Sequence, residues 1–268
     1  MTADEAIATI RVKIDRAKHH IVDLERQISA FLDTKPYKVG AKRDPETRKP
    51  IYYIVSVAET PISIAAVAGD ACQNLRSALD HLAFRLVVIG LGGTIPNHPE
   101  YIGYPIADSQ AQYPSFRDGK VKGARQEAKN AIDATKPYPG GNDTLWRLHK
   151  LNNIDKHRLL LTVGSAFRSL DIGAEMQRLM KETFPERKIA SVEMPMFIRP
   201  ADRLFPLKAG DELYIGGPDH AINEKMQFRF DVALGEPGII EGEPLHKTIH
   251  DMADLVDNVV LSFKPLFA

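Results

Sequence analysis

Residues 61–91, PISIAAVAGDACQNLRSALDHLAFRLVVIGL, decide the fold of this chain. Apolar residues recur at alternating spacings of three and four, which is typical of a helix packed along one seam. The seam consists of Ala65, Ala68, Cys72, Leu75, Leu79, Leu82, Leu86 and Ile89. A second apolar line on another face consists of Ile64, Val67, Ala71, Ala78 and Val88. Because a helix that is apolar on two faces is normally enclosed on both, we expect it at the centre of a bundle.

Polar side chains interrupt the middle turns of this helix. Burying such groups without partners costs about 1–3 kcal/mol each, so they are expected to be paired, exposed in a cleft or used in function. Arginine offers a rigid fork for phosphate oxygens, and histidine titrates near neutral pH. These turns therefore predict a catalytic set of Arg76, His81, Asn74 and Asp80, with Ser77 beside them as a substrate-binding residue.

A second interrupted apolar helix contains LNNIDKHR at residues 151–158. His149, Asn153 and His157 recur every four residues and share one face, but their spacing matches no zinc signature. If the two helices pack together, their polar segments meet as a pocket or as a satisfied structural network. The substrate-binding candidates in this segment are Asn153, Asp155, Lys156, His157 and Arg158.

The order of elements along the chain predicts an α+β fold, with a long-helix bundle, an inserted β-hairpin and a C-terminal small antiparallel sheet plus helix. The clearest amphipathic helix covers residues 3–32, and its apolar seam is the natural partner of the 61–91 seam. We also expect a hairpin, three shorter helices, three strands and a final helix. Their expected ranges are 36–58 for the hairpin, 120–136, 144–163 and 171–183 for the helices, 190–198, 211–216 and 226–235 for the strands, and 245–263 for the final helix.

Two portions of the chain differ in their expected secondary structure. Residues 1–165 are expected to form the helical bundle with its hairpin, and residues 166–268 an α+β portion packed with the bundle as one unit. Between the helices, residues 94–118 lack periodicity and contain four tyrosine or phenylalanine residues. A long ordered loop of this kind often covers a functional site.

Composition limits the classes of partner. Lysine plus arginine equals aspartate plus glutamate at 35 each, so no global field attracts long nucleic acid or an acidic membrane, although a local basic cleft is compatible with this balance. The single cysteine, Cys72, lies on the apolar seam and is interpreted as a buried apolar residue. No secretion signal and no apolar run of about 20 residues is present, so we expect a cytoplasmic protein without a membrane partner. We expect no metal and no other cofactor.

Both interrupted helices carry a resemblance to known proteins. NLRSALDHLAF at residues 74–84 and LWRLHKLNNIDKHRLLL at residues 145–161 resemble a widespread group of uncharacterised bacterial proteins, over about residues 69–163. More distantly, Arg76 and His81, with four residues between them on a long bundle helix, resemble the motif of HEPN domains. Ser77 departs from that motif, since active HEPN ribonucleases usually carry asparagine, aspartate or histidine after the arginine.

The HEPN resemblance implies a metal-independent endoribonuclease of the toxin or antiphage type, which acts on structured RNA as a homodimer. His81 would be the general acid or base, and Arg76 would hold the phosphate or the developing charge. Asn74, Ser77 and Asp80 would orient these two groups.

Two alternatives come from other functional classes. One is a small-molecule or metal-dependent hydrolase that uses His81, Asp80, Asp155 and His157. The other is a non-catalytic binding or assembly protein, in which a polar core with an i,i+4 pair of Arg76 and Asp80 only fixes the helix register.

Overall fold

A computed structural model of the protein describes residues 2–171, 183, 197–198, 204–217, 221–223, 226 and 228–267. Six α-helices and two antiparallel sheets lie within these residues, and they confirm the α+β fold class. The helices are α1 Ala3–Asp33, α2 Ile62–Gly90, α3 Tyr113–Lys120, α4 Gln126–Ala134, α5 Asp143–Asp155 and α6 Leu245–Ser262. The strands are β1 Tyr37–Arg43, β2 Pro50–Val57, β3 Thr162–Asp171, β4 Phe197–Ile198, β5 Glu212–Ile215, β6 Phe228–Glu236 and β7 Ile240–Pro244.

The pairing of α1 with α2 is confirmed, since the two helices pack against each other. Every apolar residue of the α1 seam is buried, and so is the α2 seam from Ala65 to Leu86. A capping box starts α1, because the Thr2 hydroxyl accepts from the backbone N–H of Glu5 while the Glu5 carboxylate accepts from that of Thr2. The alternating spacing of three and four is therefore the pattern of a real helix–helix interface.

The third side of this pair is covered by the C-terminal helix α6. It packs against both α1 and α2 and buries Leu245, Ile249, Met252, Ala253, Val256, Val259 and Val260. Arg11 and Lys18 of α1 both bond to the Asp257 carboxylate, which places an ion-pair cluster at the edge of this interface. The final amphipathic helix is thus confirmed, and it belongs to the same core as the N-terminal bundle.

The expected 144–163 helix is wrong in its second half. Asn142 caps α5, since its side chain accepts from the Leu145 N–H, but the helix ends at Asp155 and β3 begins at Thr162. The apolar run LLLTVG fits a buried helix and a strand equally well, and periodicity does not separate them. Contacts with the sheet favour the strand, because the backbone N–H of Leu161 donates to the Glu236 carboxylate of β6 at 2.6 Å.

The expected 120–136 helix is also wrong as a single element. The structure has α3 and α4, separated by residues 121–125, and α3 begins inside the segment that was expected to be a loop. Gly123 has a φ of +96°, a left-handed conformation that a helix does not allow. The interval 94–112 agrees better with the expected loop, apart from one turn of 3₁₀ helix at Pro99–Tyr101.

The two sheets assemble differently from the expectation. The 36–58 hairpin is confirmed as β1 and β2, and the 211–216 strand is confirmed as β5. However, β5 pairs with β2 and extends the hairpin, whereas β6 pairs with β3 and β7 in the second sheet. The 226–235 strand is confirmed as β6. The expected 171–183 helix and most of the 190–198 strand lie outside the described residues; Phe197–Ile198 pairs with β3.

α5 packs against α2, and the segment from 102 to 112 is held beside both helices. These three pieces surround the polar residues that were singled out in the sequence. Among the described helices, none is long and apolar enough to cross a membrane.

Candidate functional site

Arg76 and Asp80 form one unit on the buried side of α2. Nη1 of Arg76 lies 2.8 Å from Oδ1 of Asp80, an ion pair without hydrogen-bond alignment. Nη2 of Arg76 donates to the carbonyl of Tyr104 at 2.8 Å, and the backbone N–H of Tyr104 donates to Asp80 at 2.9 Å. The two side chains thus clamp both backbone polar groups of one residue. Burial lowers the pKa of Arg76, and the charge of Asp80 opposes this effect.

Tyr104, whose backbone is held by Arg76 and Asp80, fixes the segment 104–107, which we call the 104–107 wall. Tyr104 is fully buried, and its hydroxyl shares a 2.9 Å hydrogen bond with the Thr135 hydroxyl. Three residues later the backbone N–H of Ala107 donates to the carbonyl of Pro137. The Arg76–Asp80 pair therefore fixes the position of residues 104–107, and Arg76 itself is only 8% exposed.

His81 lies on a different side of α2. Its side chain is exposed, and burial, Lys13 and Arg85 lower its pKa while Asp80 acts in the opposite direction. Lys13 belongs to α1, so the histidine sits where the two long helices meet at the surface. The lowered pKa favours the neutral imidazole, which is the form that accepts a proton.

Asn74 and Ser77 share the solvent-facing side of α2 with His81. Both are half-buried, and residues 74, 77 and 81 follow the spacing of one helix face. The side-chain amide of Asn74 donates to the carbonyl of Asp70 one turn earlier. We call Asn74, Ser77 and His81 the α2 outer strip. The Arg76 side chain lies on a different side of the helix.

The polar residues of α5 divide into two groups. Asn153 bonds through its amide to Nε2 of His149 at 3.0 Å, and burial followed by the charge of Arg76 lowers the pKa of His149 to about 4. Asp155 lies against Gly69 of α2, where burial and the charge of Asp70 raise its pKa. Asp155 therefore lies at the contact of α5 with α2, and His149 lies within the electrostatic reach of Arg76.

The residues after α5 point to a structural role. Lys156 caps the C-terminal end of the helix, and both Lys156 and His157 are exposed. Arg158 forms a bidentate pair with Glu236, at 3.0 and 2.7 Å, and this carboxylate is only 1% exposed. Arg158 thus ties the end of α5 to β6.

The metal-dependent alternative requires a cluster of ligands. Within the described ranges, no three histidine, cysteine, aspartate or glutamate side chains are grouped to hold a metal ion. Asp80 and His81 belong to the middle of α2. Asp155 lies at the end of α5 against Gly69, and His157 follows the end of α5. The set of Asp80, His81, Asp155 and His157 therefore gains no geometric support.

Sequence reasoning missed several residues of the site. The sequence does not single out Lys13, because its position near His81 depends on how α1 and α2 align. His149 was noted on the face of Asn153 but was not included among the site residues. The aromatic content of residues 94–118 was the signal available for Tyr104 and Phe116, because aromatic side chains in a non-periodic segment need a surface to cover.

Comparison with protein-family models, curated proteins and solved structures gives no match for this chain. The chemistry of its own side chains therefore carries the functional assignment.

Proposed function

We propose that this protein is a HEPN-like, metal-independent endoribonuclease in which His81 is the general base. The observation that supports this function best is the exposed imidazole of His81 within electrostatic reach of two cations, Lys13 of α1 and Arg85 of α2. RNA cleavage without metal needs a base for the ribose 2′-hydroxyl and positive charge beside the phosphate. His81 of the α2 outer strip supplies the base, and Lys13 and Arg85 supply the positive charge.

The chemical step follows from these groups. His81 takes the proton of the 2′-hydroxyl, O2′ bonds to phosphorus, and the bond from phosphorus to O5′ breaks. Lys13 and Arg85 offset the charge on the phosphoryl oxygens, and the leaving O5′ takes a proton from solvent. The products are a 2′,3′-cyclic phosphate and a 5′-hydroxyl.

In this proposal the role of Arg76 differs from the one that the motif suggests. Its guanidinium is buried and engaged with Asp80 and the Tyr104 carbonyl. In this proposal Arg76 therefore holds residues 104–107 in place and does not contact RNA. Structured RNA is the proposed partner. The proposed active form is a homodimer that brings two α2 outer strips to the same RNA.

The test is cleavage of labelled structured RNA by purified protein in excess chelator. Wild type is expected to leave 2′,3′-cyclic phosphate ends, and His81→Ala to lose this activity by about 100-fold or more, the usual contribution of a positioned base. His250→Ala is the matched control, since His250 is an exposed histidine of α6 paired with Asp254. No cleavage by wild type, equal rates in His81→Ala, or loss of activity in chelator would each reject the proposal.

A second candidate is a non-catalytic binding or assembly protein. The burial of Arg76 and its contacts with Asp80 and Tyr104 favour this function, because that network stabilises the fold without any substrate. Binding of RNA without cleavage, with His81→Ala unchanged in affinity, is the outcome that selects it.

A further inference from the structure

A cleft of about 460 Å³ opens between α3 and α5. Ile106 and Ala107 form an apolar part of its lining, Phe116 lines it from α3, and His149 lines it from α5. Asp108 and Gln112 add polar groups at its margin. Ligand sites in proteins typically have volumes of about 300–1,000 Å³, and this cleft has a volume in that range and a lining of both apolar and polar side chains.

The aromatic side chains of the cleft suit a flat ligand. Phe116 is 38% exposed although it is a large apolar residue on a helix. Nζ of Lys120 lies 5.7 Å from the centre of its ring, so a cation accompanies the exposed aromatic surface. His149 is neutral at physiological pH because burial and Arg76 lower its pKa to about 4. Two uncharged aromatic rings favour stacking of a neutral planar ring over binding of an anion inside the cleft.

The polar margin supplies hydrogen bonds for the edge of such a ring. Asp108 is ionised, since its bonds to Lys150 and Trp146 lower its pKa, and it can only accept hydrogen bonds. Lys150 lies 2.7 Å from this carboxylate, which leaves the cation engaged at the margin. Gln112 carries both a donor and an acceptor. A planar ring with amino and carbonyl groups on its edge satisfies this arrangement.

We propose that this cleft binds the base of a nucleotide, stacked on Phe116 and held at its edge by Asp108 and Gln112. The sugar and phosphate point outward, toward Lys120. Bases with an exocyclic amino group bind more tightly than uracil, because the Asp108 carboxylate accepts from that group. This inference goes beyond cleavage at His81, since none of the described residues lining the cleft belongs to α2.

The Arg76–Asp80 pair has a role in this site. It clamps Tyr104, which lies two residues before Ile106 and three before Ala107, both lining residues of the cleft. Arg76 is therefore a positioning residue of the cleft, and its charge also helps to keep His149 neutral.

Trp146 makes the proposal measurable, because it is the only tryptophan of the chain and its indole Nε1 lies 3.4 Å from Asp108. Titration with adenosine 5′-monophosphate and cytidine 5′-monophosphate is expected to change its fluorescence and to shift its indole N–H signal in NMR spectra. Ribose 5-phosphate, which lacks the base, is expected to change neither signal.

Variants separate the ring contact from other effects. Phe116→Ala is expected to weaken binding about 5- to 150-fold, the affinity equivalent of losing one aromatic stacking partner. Tyr101→Ala removes another exposed aromatic side chain that does not line the cleft, and its affinity is expected to equal that of wild type. Because Phe116 is partly exposed, its removal is expected to leave the thermal midpoint nearly unchanged.

Three outcomes would overturn the proposal. The first is no change in fluorescence or in the indole signal at nucleotide concentrations up to about 10 mM, a range that detects millimolar affinity. The second is an equal response to ribose 5-phosphate, which would indicate a phosphate site. The third is equal affinity of Phe116→Ala and wild type. Since binding is measured without turnover, failure of this proposal is distinct from failure of RNA cleavage at His81.

Discussion

At the scale of single residues, the two ends of the segment RSALDH, Arg76 and His81, differ in burial. The sequence places Arg76 and His81 about 140° apart around the helix, since five residues turn through that angle. The fold then encloses one direction and leaves the other open, so Arg76 is 8% exposed while His81 faces solvent. Two residues of one motif therefore have opposite environments, and only the histidine is available to a substrate.

Removing Asp80 is expected to lower the free energy of unfolding more than removing Arg76. Asp80→Ala leaves the Arg76 guanidinium, with a side chain 10% exposed, without its counter-ion and is expected to cost about 3–5 kcal/mol. Arg76→Met leaves Asp80, which is 38% exposed and can be hydrated, so a smaller loss of about 1–2 kcal/mol is expected. Urea unfolding at neutral pH measures both values.

A larger loss in Arg76→Met than in Asp80→Ala would contradict the burial that assigns Arg76 a structural role. Gln73→Ala, at an exposed position of the same helix, is the control and is expected to change the free energy of unfolding by less than about 0.5 kcal/mol.

At the scale of elements, the long helices could be predicted from the sequence, and the short elements could not. The seams of α1 and α2 are sustained over so many turns that no other structure fits them. The end of α5 depends on Glu236, which is 75 residues from Leu161 in the sequence, and no local pattern reports that contact. The same limit applies to the site: Asp80 and His81 lie on a predictable helix, but their neighbours Tyr104 and Lys13 follow from tertiary packing.

The contact of α2 with α5 depends on a glycine. A Cβ at Gly69 would lie 2.0 Å from Oδ1 of Asp155, far inside van der Waals contact. Gly69→Ala is therefore expected to destabilise the protein by about 1–3 kcal/mol, although alanine is intrinsically better in a helix by about 1 kcal/mol. In an Asp155→Ala background the clash is gone, and Gly69→Ala is expected to stabilise by up to about 1 kcal/mol.

Chemical denaturation of the two single variants and the double variant tests this reversal of sign. Gly119→Ala in α3 is the matched control, since a Cβ there meets no atom within 4 Å and only the helix preference remains. If Gly69→Ala has the same effect in both backgrounds, α2 and α5 do not approach each other as described.

At the scale of the whole molecule, the bundle separates the two surfaces for which functions are proposed. The α2 outer strip with Lys13 faces solvent at the junction of the two longest helices, and the cleft between α3 and α5 opens beside the wall that Tyr104 anchors. The buried Arg76–Asp80 pair lies in the helix that carries the first surface and holds the wall of the second. A neutral net charge is compatible with this design, because the cations that matter are local.

The pH dependence of the proposed RNA cleavage tests the proposed role of His81 most directly. A general base is active when deprotonated, so the rate is expected to rise with pH and to level off above the pKa of His81, which lies below its ordinary value of 6.5. Lys13→Gln removes a cation that disfavours the protonated imidazole, so this pKa rises and the rising limb moves to higher pH. Lys247→Gln, a change at an exposed lysine of α6 paired with Asp251, is expected to leave the limb in place. A rate independent of pH, or a limb that Lys13→Gln leaves unmoved or shifts to lower pH, would contradict the assignment of His81 as the base.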